Sequence, residues 1–180
     1  LSLHDALPIS SKANIENLVQ TGIDQGASLV VDGRGFKLQG YEDGFFVGAH
    51  LFDNVTTDMD IYKKEIFGPV LSTVRAKTYE EAIQMAIDHE YGNGTSIFTR
   101  DGDTARDFSN RINIGMVGVN VPIPVPLAYH TFGGWKKSMF GDLNQHGPDA
   151  FKFFTRTKTI TSRWPSGIKE GGEFSIPVME

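Results

Sequence analysis

Three segments of the chain repeat apolar residues at the three- and four-residue spacing of an amphipathic helix. They cover residues 11–26, 78–89 and 104–112. The second has the clearest start, because Thr78 and Glu81 form the capping-box pattern of a helix N-terminus. A fourth, shorter helix is predicted over residues 149–155.

Short apolar or alternating runs between these helices predict strands. Thr- and Ile-rich residues 157–164 predict a terminal strand. The other predicted strands and strand-like stretches cover residues 28–31, 45–47, 50–55, 70–76, 95–99 and 116–121. Between residues 70 and 121, strands and helices alternate, which indicates an α/β fold with parallel strands.

Composition narrows the classes of protein that fit this pattern. The chain has 180 residues, 39% of them hydrophobic, and a formal net charge of -5, which is typical of a soluble globular protein and weakly disfavours nucleic acid as a partner. No apolar run approaches the roughly 18 residues of a membrane span. There is no cysteine, and the histidines show no metal-ligand spacing, so we predict no metal site. A reducing compartment fits, either bacterial cytoplasm or, in a eukaryote, the mitochondrial matrix.

The segment KEIFGP, residues 64–69, is the strongest candidate for chemistry. Glu65 lies in a loop just before a predicted strand, where its carboxylate can accept hydrogen bonds from two neighbouring ribose hydroxyls. Phe67 can place its ring beside a flat heterocycle. The alternative is an exposed loop glutamate followed by an ordinary core phenylalanine, and spacing alone favours that alternative.

Four segments together resemble the aldehyde dehydrogenase superfamily. They are KEIFGP at 64–69, YGNGT at 91–95, FGGWKKS at 132–138 and KTIT at 158–161, in the family's order and spacing. The resemblance implies an α/β fold: the C-terminal part of the catalytic domain over residues 11–155, an oligomerisation strand over 156–164 and a tail over 165–180. It also implies that NAD is the cofactor, with Glu65 on the nicotinamide ribose and Phe67 beside the nicotinamide.

Three further segments resemble one branch of that superfamily, the methylmalonate-semialdehyde dehydrogenases, which pass the acyl group to coenzyme A. These segments are NVPIPVP at 120–126, GDLNQ at 141–145 and WPSG at 164–167. The resemblance implies a small semialdehyde substrate and coenzyme A as co-substrate. It also implies that part of the substrate pocket is formed by Pro124, Val125, Pro126, Leu127 and Phe132. The alternative for the prolines is a rigid extended linker, and the two interpretations are compatible.

The chemistry of this superfamily depends on a cysteine nucleophile that forms a thioester, and the chain contains none. The resemblance therefore implies no catalytic residue here, and we expect the chain to be the C-terminal portion of a longer, homo-oligomeric enzyme, inactive alone. Residues 1–10 resemble translated sequencing-adapter sequence, and we expect them to be a non-native extension. Two other functions stay open, a different semialdehyde or aldehyde dehydrogenase and a non-catalytic oligomerisation module.

Overall fold

The computed structural model describes residues 8–164, and the chain divides into two units. Among the described residues, the first comprises 8–127 and 132–142, and the second 128–131 and 143–164. All the candidate site residues belong to the first unit. No helix in the described part of the chain has the length and apolar character needed to cross a bilayer.

Helix α1 spans Pro8–Asp24 and so begins three residues earlier than predicted, inside the segment set apart as an extension. Proline is well suited to the first position of a helix, where its missing N–H costs nothing. The helix ends in a Schellman motif: Gly26 takes a φ of 98°, its N–H donates to Ile23, and the N–H of Ala27 donates to Gly22. Residues 1–7 and the predicted tail over 165–180 lie outside the described residues.

Three strands form a sheet against α1. β1 (Ser28–Val31) pairs antiparallel with β2 (His50–Val55), and β2 pairs parallel with β3 (Val70–Val74). Phe52 in the middle strand is fully buried. Its core cluster also contains Val19, Ala27, Val55, Met59 and Ile61.

The strand-like stretch at 45–47 is not a strand. The backbones of Gly33 and Gly48 touch, with the N–H of Gly48 donating to the Gly33 carbonyl at 3.2 Å, so the residues between them close into a loop. The aromatic side chains of that loop are exposed, Phe45 at 55%. A second difference is α2, a four-residue helix over Asp60–Lys63, within residues 58–68 that the sequence predicts as a loop.

Two helices and two strands form a second core in the first unit. β5 (Gly94–Ile97) and β6 (Met116–Val119) pair in parallel, as predicted. They belong with α3 (Tyr79–Asp88) and α4 (Gly102–Arg111). The buried residues of this core are Ile83, Phe108, Ile112 and Ile114. The α/β class predicted from the sequence is confirmed.

The caps of these two helices explain their boundaries. The Thr78 hydroxyl accepts the Glu81 N–H at 3.1 Å, as predicted, but the Glu81 carboxylate accepts the N–H of Lys77 rather than that of Thr78. Helix α4 starts two residues earlier than predicted because the Asp101 carboxylate, accepting the Thr104 N–H at 2.6 Å, is its N-cap.

The remaining elements are short. β4 (Tyr91–Gly92) pairs antiparallel with β7 (Trp135–Lys136), and neither was predicted. In the second unit a 3₁₀ turn over Gly147–Asp149 leads into α5 (Ala150–Phe154), which confirms the short predicted helix. Residues 155–164 are exposed and belong to no strand of the described chain. A strand shared between subunits stays a prediction.

Candidate functional site

The loop that carries the candidate residues is anchored on three sides. Ile66 packs against the first core, and a side chain at Gly68 would collide with Ile15 of α1. The carbonyl of Pro69 accepts the N–H of His50 in β2 at 2.8 Å. Because Ile66 turns inward, its neighbours Glu65 and Phe67 both face away from the core.

Phe67 adopts a backbone conformation that is unfavourable for its residue type. Its φ is 55°, in the left-handed region, where a bulky side chain is an outlier, and its ring is 66% exposed. Exposing a large ring at a strained backbone position is the pattern expected where binding, rather than packing, sets the conformation. Among residues 8–164, Phe67 is therefore not packed in a core, and its role beside the nicotinamide stays a prediction.

Glu65 and Phe67 line one open cleft of about 650 Å³, which we call the Glu65 cleft. Among residues 8–164 the Glu65 carboxylate has no hydrogen-bond or ion-pair partner, so its oxygens are available to a ligand. The remaining lining residues are Tyr62, Lys63, Lys64, His89, Glu90, Tyr91, Asn93, Lys137 and Ser138.

The other charged side chains that line the cleft, Lys63, Lys64, Glu90 and Lys137, each have a partner of their own. The Lys137 ammonium donates to the Glu90 carboxylate; this hydrogen bond holds the pKa of Glu90 below its ordinary value and that of Lys137 above it. Lys64 pairs with Asp60 at 2.7 Å. Burial, and then the Asp88 carboxylate, raise the pKa of the Tyr62 phenol. Glu65 is therefore the unpaired anion of the cleft as far as the described residues extend.

A second cleft of about 400 Å³, the proline cleft, contains part of the predicted substrate pocket. Pro124 and Val125 line it, whereas Pro126, Leu127 and Phe132 do not. The remaining lining residues are Asn93, Gly94, Thr95, Ser96, Met116, Pro122 and Ile123. Pro126 and Leu127 are exposed and Phe132 is half-buried. A substrate-binding role stays a prediction for all five residues.

Lys136, within the segment FGGWKKS, has a structural role that the sequence reasoning missed. Its ammonium donates to the carbonyls of Ala86, Ile87 and His89 at 3.1, 2.7 and 3.0 Å. These carbonyls lie at the C-terminal end of α3, where two of them have no helical partner. A lysine in the last turn of a helix predicts such a contact from the sequence. Lys136 lies about 50 residues after these carbonyls, so no local pattern indicates its role.

No metal centre is built from the described residues. Within 8–164, no three His, Asp or Glu side chains come close enough to hold a metal ion. The site consequently offers one free carboxylate, one exposed ring and a partly apolar cleft, a set that suits a ribose and an aromatic heterocycle.

Comparison with known proteins gives the site its context. The model of the "Aldehyde dehydrogenase family" matches residues 8–160. A malonate-semialdehyde dehydrogenase of Pseudomonas aeruginosa is 55% identical over 178 residues, which cover 98% of this chain and 36% of that protein. The bovine mitochondrial protein called methylmalonate-semialdehyde/malonate-semialdehyde dehydrogenase [acylating] is 49% identical over 94% of this chain and 31% of its own length. The chain thus spans about one third of these relatives.

Solved structures agree. A protein of Sinorhizobium meliloti 1021 assigned as a methylmalonate-semialdehyde dehydrogenase, crystallised with NAD, superposes with a TM-score of 0.80 at 73% identity, over 89% of this chain and 33% of that one. The methylmalonate-semialdehyde dehydrogenase of Oceanimonas doudoroffii gives 0.79 at 54% identity, over 87% and 32%. The match runs through the Glu65 loop, both clefts and the Lys136 cap, and the chain belongs to the aldehyde dehydrogenase family.

Proposed function

We propose that this chain forms the nicotinamide-ribose side of the active site in an NAD-dependent semialdehyde dehydrogenase that transfers its acyl product to coenzyme A. The observation that carries the proposal is the joint presentation of the unpaired Glu65 carboxylate and the exposed Phe67 ring to one cleft. Similarity to family members crystallised with NAD supports the choice of cofactor.

The residues of the Glu65 cleft fit the nicotinamide-ribose half of NAD. A carboxylate with free oxygens can accept both ribose hydroxyls, and these bonds are charge-assisted. The exposed Phe67 ring can lie against the edge or face of the nicotinamide. When bound, NAD accepts a hydride from the substrate. The contribution of this chain is to hold the ring in place, and placement alone accounts for a large share of catalysis in bimolecular reactions.

The substrate class follows from the relatives and from the proline cleft. The relatives act, by their names, on malonate and methylmalonate semialdehydes, and the bovine protein is called acylating. Pro124 and Val125 give the cleft a rigid apolar wall that suits the short carbon chain of such a substrate. We expect the full-length protein carrying this segment to form acyl-coenzyme A and NADH in equal amounts from these semialdehydes. Slower turnover of these semialdehydes than of simple aldehydes would favour the alternative of a different aldehyde dehydrogenase.

We expect the 180-residue chain by itself to show no dehydrogenase activity, because it contains no cysteine to form a thioester. NADH formation from methylmalonate semialdehyde, NAD and coenzyme A is the measurement, with a heat-treated sample as control. Turnover above that control would contradict the expectation and would require another nucleophile within these residues.

We also propose that residues 157–164 add a strand to a second subunit. All their side chains are exposed, and none of these residues belongs to a strand of the described chain. In the full-length protein, Ile160→Pro removes one donor and restrains φ, and sedimentation velocity should show a shift toward monomer. Ile123→Pro is the matched control, since Ile123 is similarly exposed, at 71% against 78% for Ile160, and already lies among prolines. An unchanged oligomer for Ile160→Pro would exclude this strand from the subunit interface.

A further inference from the structure

Both backbone polar groups and both ring nitrogens of His89 form hydrogen bonds. Its backbone N–H donates to Met85 at 3.2 Å, and its carbonyl accepts the Lys136 ammonium at 3.0 Å. Its ring Nδ1 accepts the N–H of Tyr91 at 3.1 Å, and its Nε2 lies 3.0 Å from the carbonyl oxygen of Tyr62. The residue therefore joins the end of α3, strand β4 and the end of α2.

These partners fix the tautomer of the imidazole. The backbone N–H of Tyr91 can only donate, so Nδ1 must carry a lone pair. The Tyr62 carbonyl can only accept, so Nε2 must carry the proton. In this conformation both ring nitrogens of His89 are engaged, Nε2 as donor and Nδ1 as acceptor, so neither is free to act as a general base.

Tyr62 connects the ring to the site. Its own ring meets that of His89 edge-on at 4.9 Å, and its hydroxyl donates to the Met85 carbonyl at 3.1 Å. Tyr62 lies three residues before Glu65, with no turn of helix between them, because α2 ends at Lys63. The N-terminal end of the Glu65 loop is therefore attached to the end of α3 by two hydrogen bonds, one from the Tyr62 hydroxyl to Met85 and one from the His89 ring to Tyr62.

Glu65 depends on that attachment. Its carboxylate has no partner in the described part of the chain, so its direction is set by the backbone on either side. On the far side the loop is fixed by the packing of Ile66 and by the contact of Gly68 with Ile15. On the near side the Lys64 N–H donates to the Asp60 carbonyl at 2.8 Å, and Tyr62 is bonded to Met85 and His89. Tyr62 and His89 also line the Glu65 cleft.

We propose that His89 is a positioning residue for the nicotinamide-ribose site: through the Nε2–H bond to the Tyr62 carbonyl it sets the direction in which Glu65 enters the cleft. The inference rests on the proposed role of Glu65 in binding the ribose. The hydrogen bond itself, rather than the bulk of the imidazole, strengthens binding of the nicotinamide and its ribose and leaves binding of the ADP half unchanged.

Two amide variants separate the two ring bonds. The amide of glutamine reaches the position of Nε2 and can still donate to Tyr62, whereas the shorter asparagine reaches only the position of Nδ1 and can still accept from Tyr91. In the full-length protein carrying this segment, His89→Asn should weaken NAD binding about three- to tenfold, the loss expected for one hydrogen bond. His89→Gln should stay within about twofold of wild type. ADP, which lacks the nicotinamide and its ribose, should bind all three proteins equally.

The comparison of NAD with ADP, by titration calorimetry, keeps the outcomes distinct. Equal weakening of NAD and ADP binding by His89→Asn would mean general damage to the fold and would overturn the inference. Wild-type NAD affinity in His89→Asn would overturn it too, as would equal losses for His89→Asn and His89→Gln. Glu65→Gln, measured alongside, tests the proposed function separately: if it leaves NAD affinity unchanged, the ribose site itself is wrong, whatever His89 does.

Discussion

Replacing Lys136 by methionine should lower the free energy of unfolding of this chain by about 2–4 kcal/mol, since hydrogen bonds to a charged donor contribute about 1.5–3 kcal/mol each and are not additive. Methionine keeps the apolar stem, which lies against Gly92, and removes the ammonium that donates to three carbonyls. The carbonyls of Ala86 and Ile87 then lose their partner in a half-buried setting. The favourable interaction of a cation with the C-terminal end of α3 is lost as well.

Lys137→Met is the matched control for that variant. Lys137 is the next residue, and its ammonium is paired with Glu90 at an exposed position. Exposed ion pairs contribute little, so this variant should unfold close to wild type. Urea unfolding followed by circular dichroism measures both. Equal midpoints for the two variants would show that the Lys136 bonds do not stabilise the fold.

The elements that the sequence predicted well are those whose signals are local. Helix α3 has an apolar face and a Thr78 cap within a few residues of each other, and both are visible in the sequence. The prediction of a strand-like stretch at 45–47 is wrong because a short run of apolar residues occurs in loops as well as in strands. What decides between them is the contact of Gly33 with Gly48, which no local pattern records.

The candidate site divides in the same way. Glu65 and Phe67 could be found because six consecutive residues resemble a family motif, yet the left-handed backbone of Phe67 could not be read from that segment. Lys136 and His89 form hydrogen bonds with backbone carbonyls of residues that are distant along the chain. Every residue has a backbone carbonyl, so the sequence does not indicate which residue accepts such a hydrogen bond. These contacts become visible only in the folded structure.

The largest functional effect is expected for Glu65→Gln in the full-length protein. The change keeps the shape of the side chain and removes the charge that would strengthen its bonds to the ribose hydroxyls. Because the carboxylate has no partner among residues 8–164, the variant breaks no interaction described in the fold. Thermal stability should consequently stay at the wild-type level, and any loss can be assigned to the ligand.

We expect NAD to bind Glu65→Gln about 10- to 100-fold more weakly, which corresponds to about 1.5–3 kcal/mol for a charge-assisted contact. ADP affinity should not change, because ADP has no nicotinamide ribose, and single-turnover hydride transfer should slow when the nicotinamide is less firmly held. Glu42→Gln makes the same change of charge in an exposed loop that lines neither cleft and serves as the control. If Glu65→Gln and Glu42→Gln bind NAD equally well and transfer hydride at the same rate, Glu65 does not bind the nicotinamide ribose.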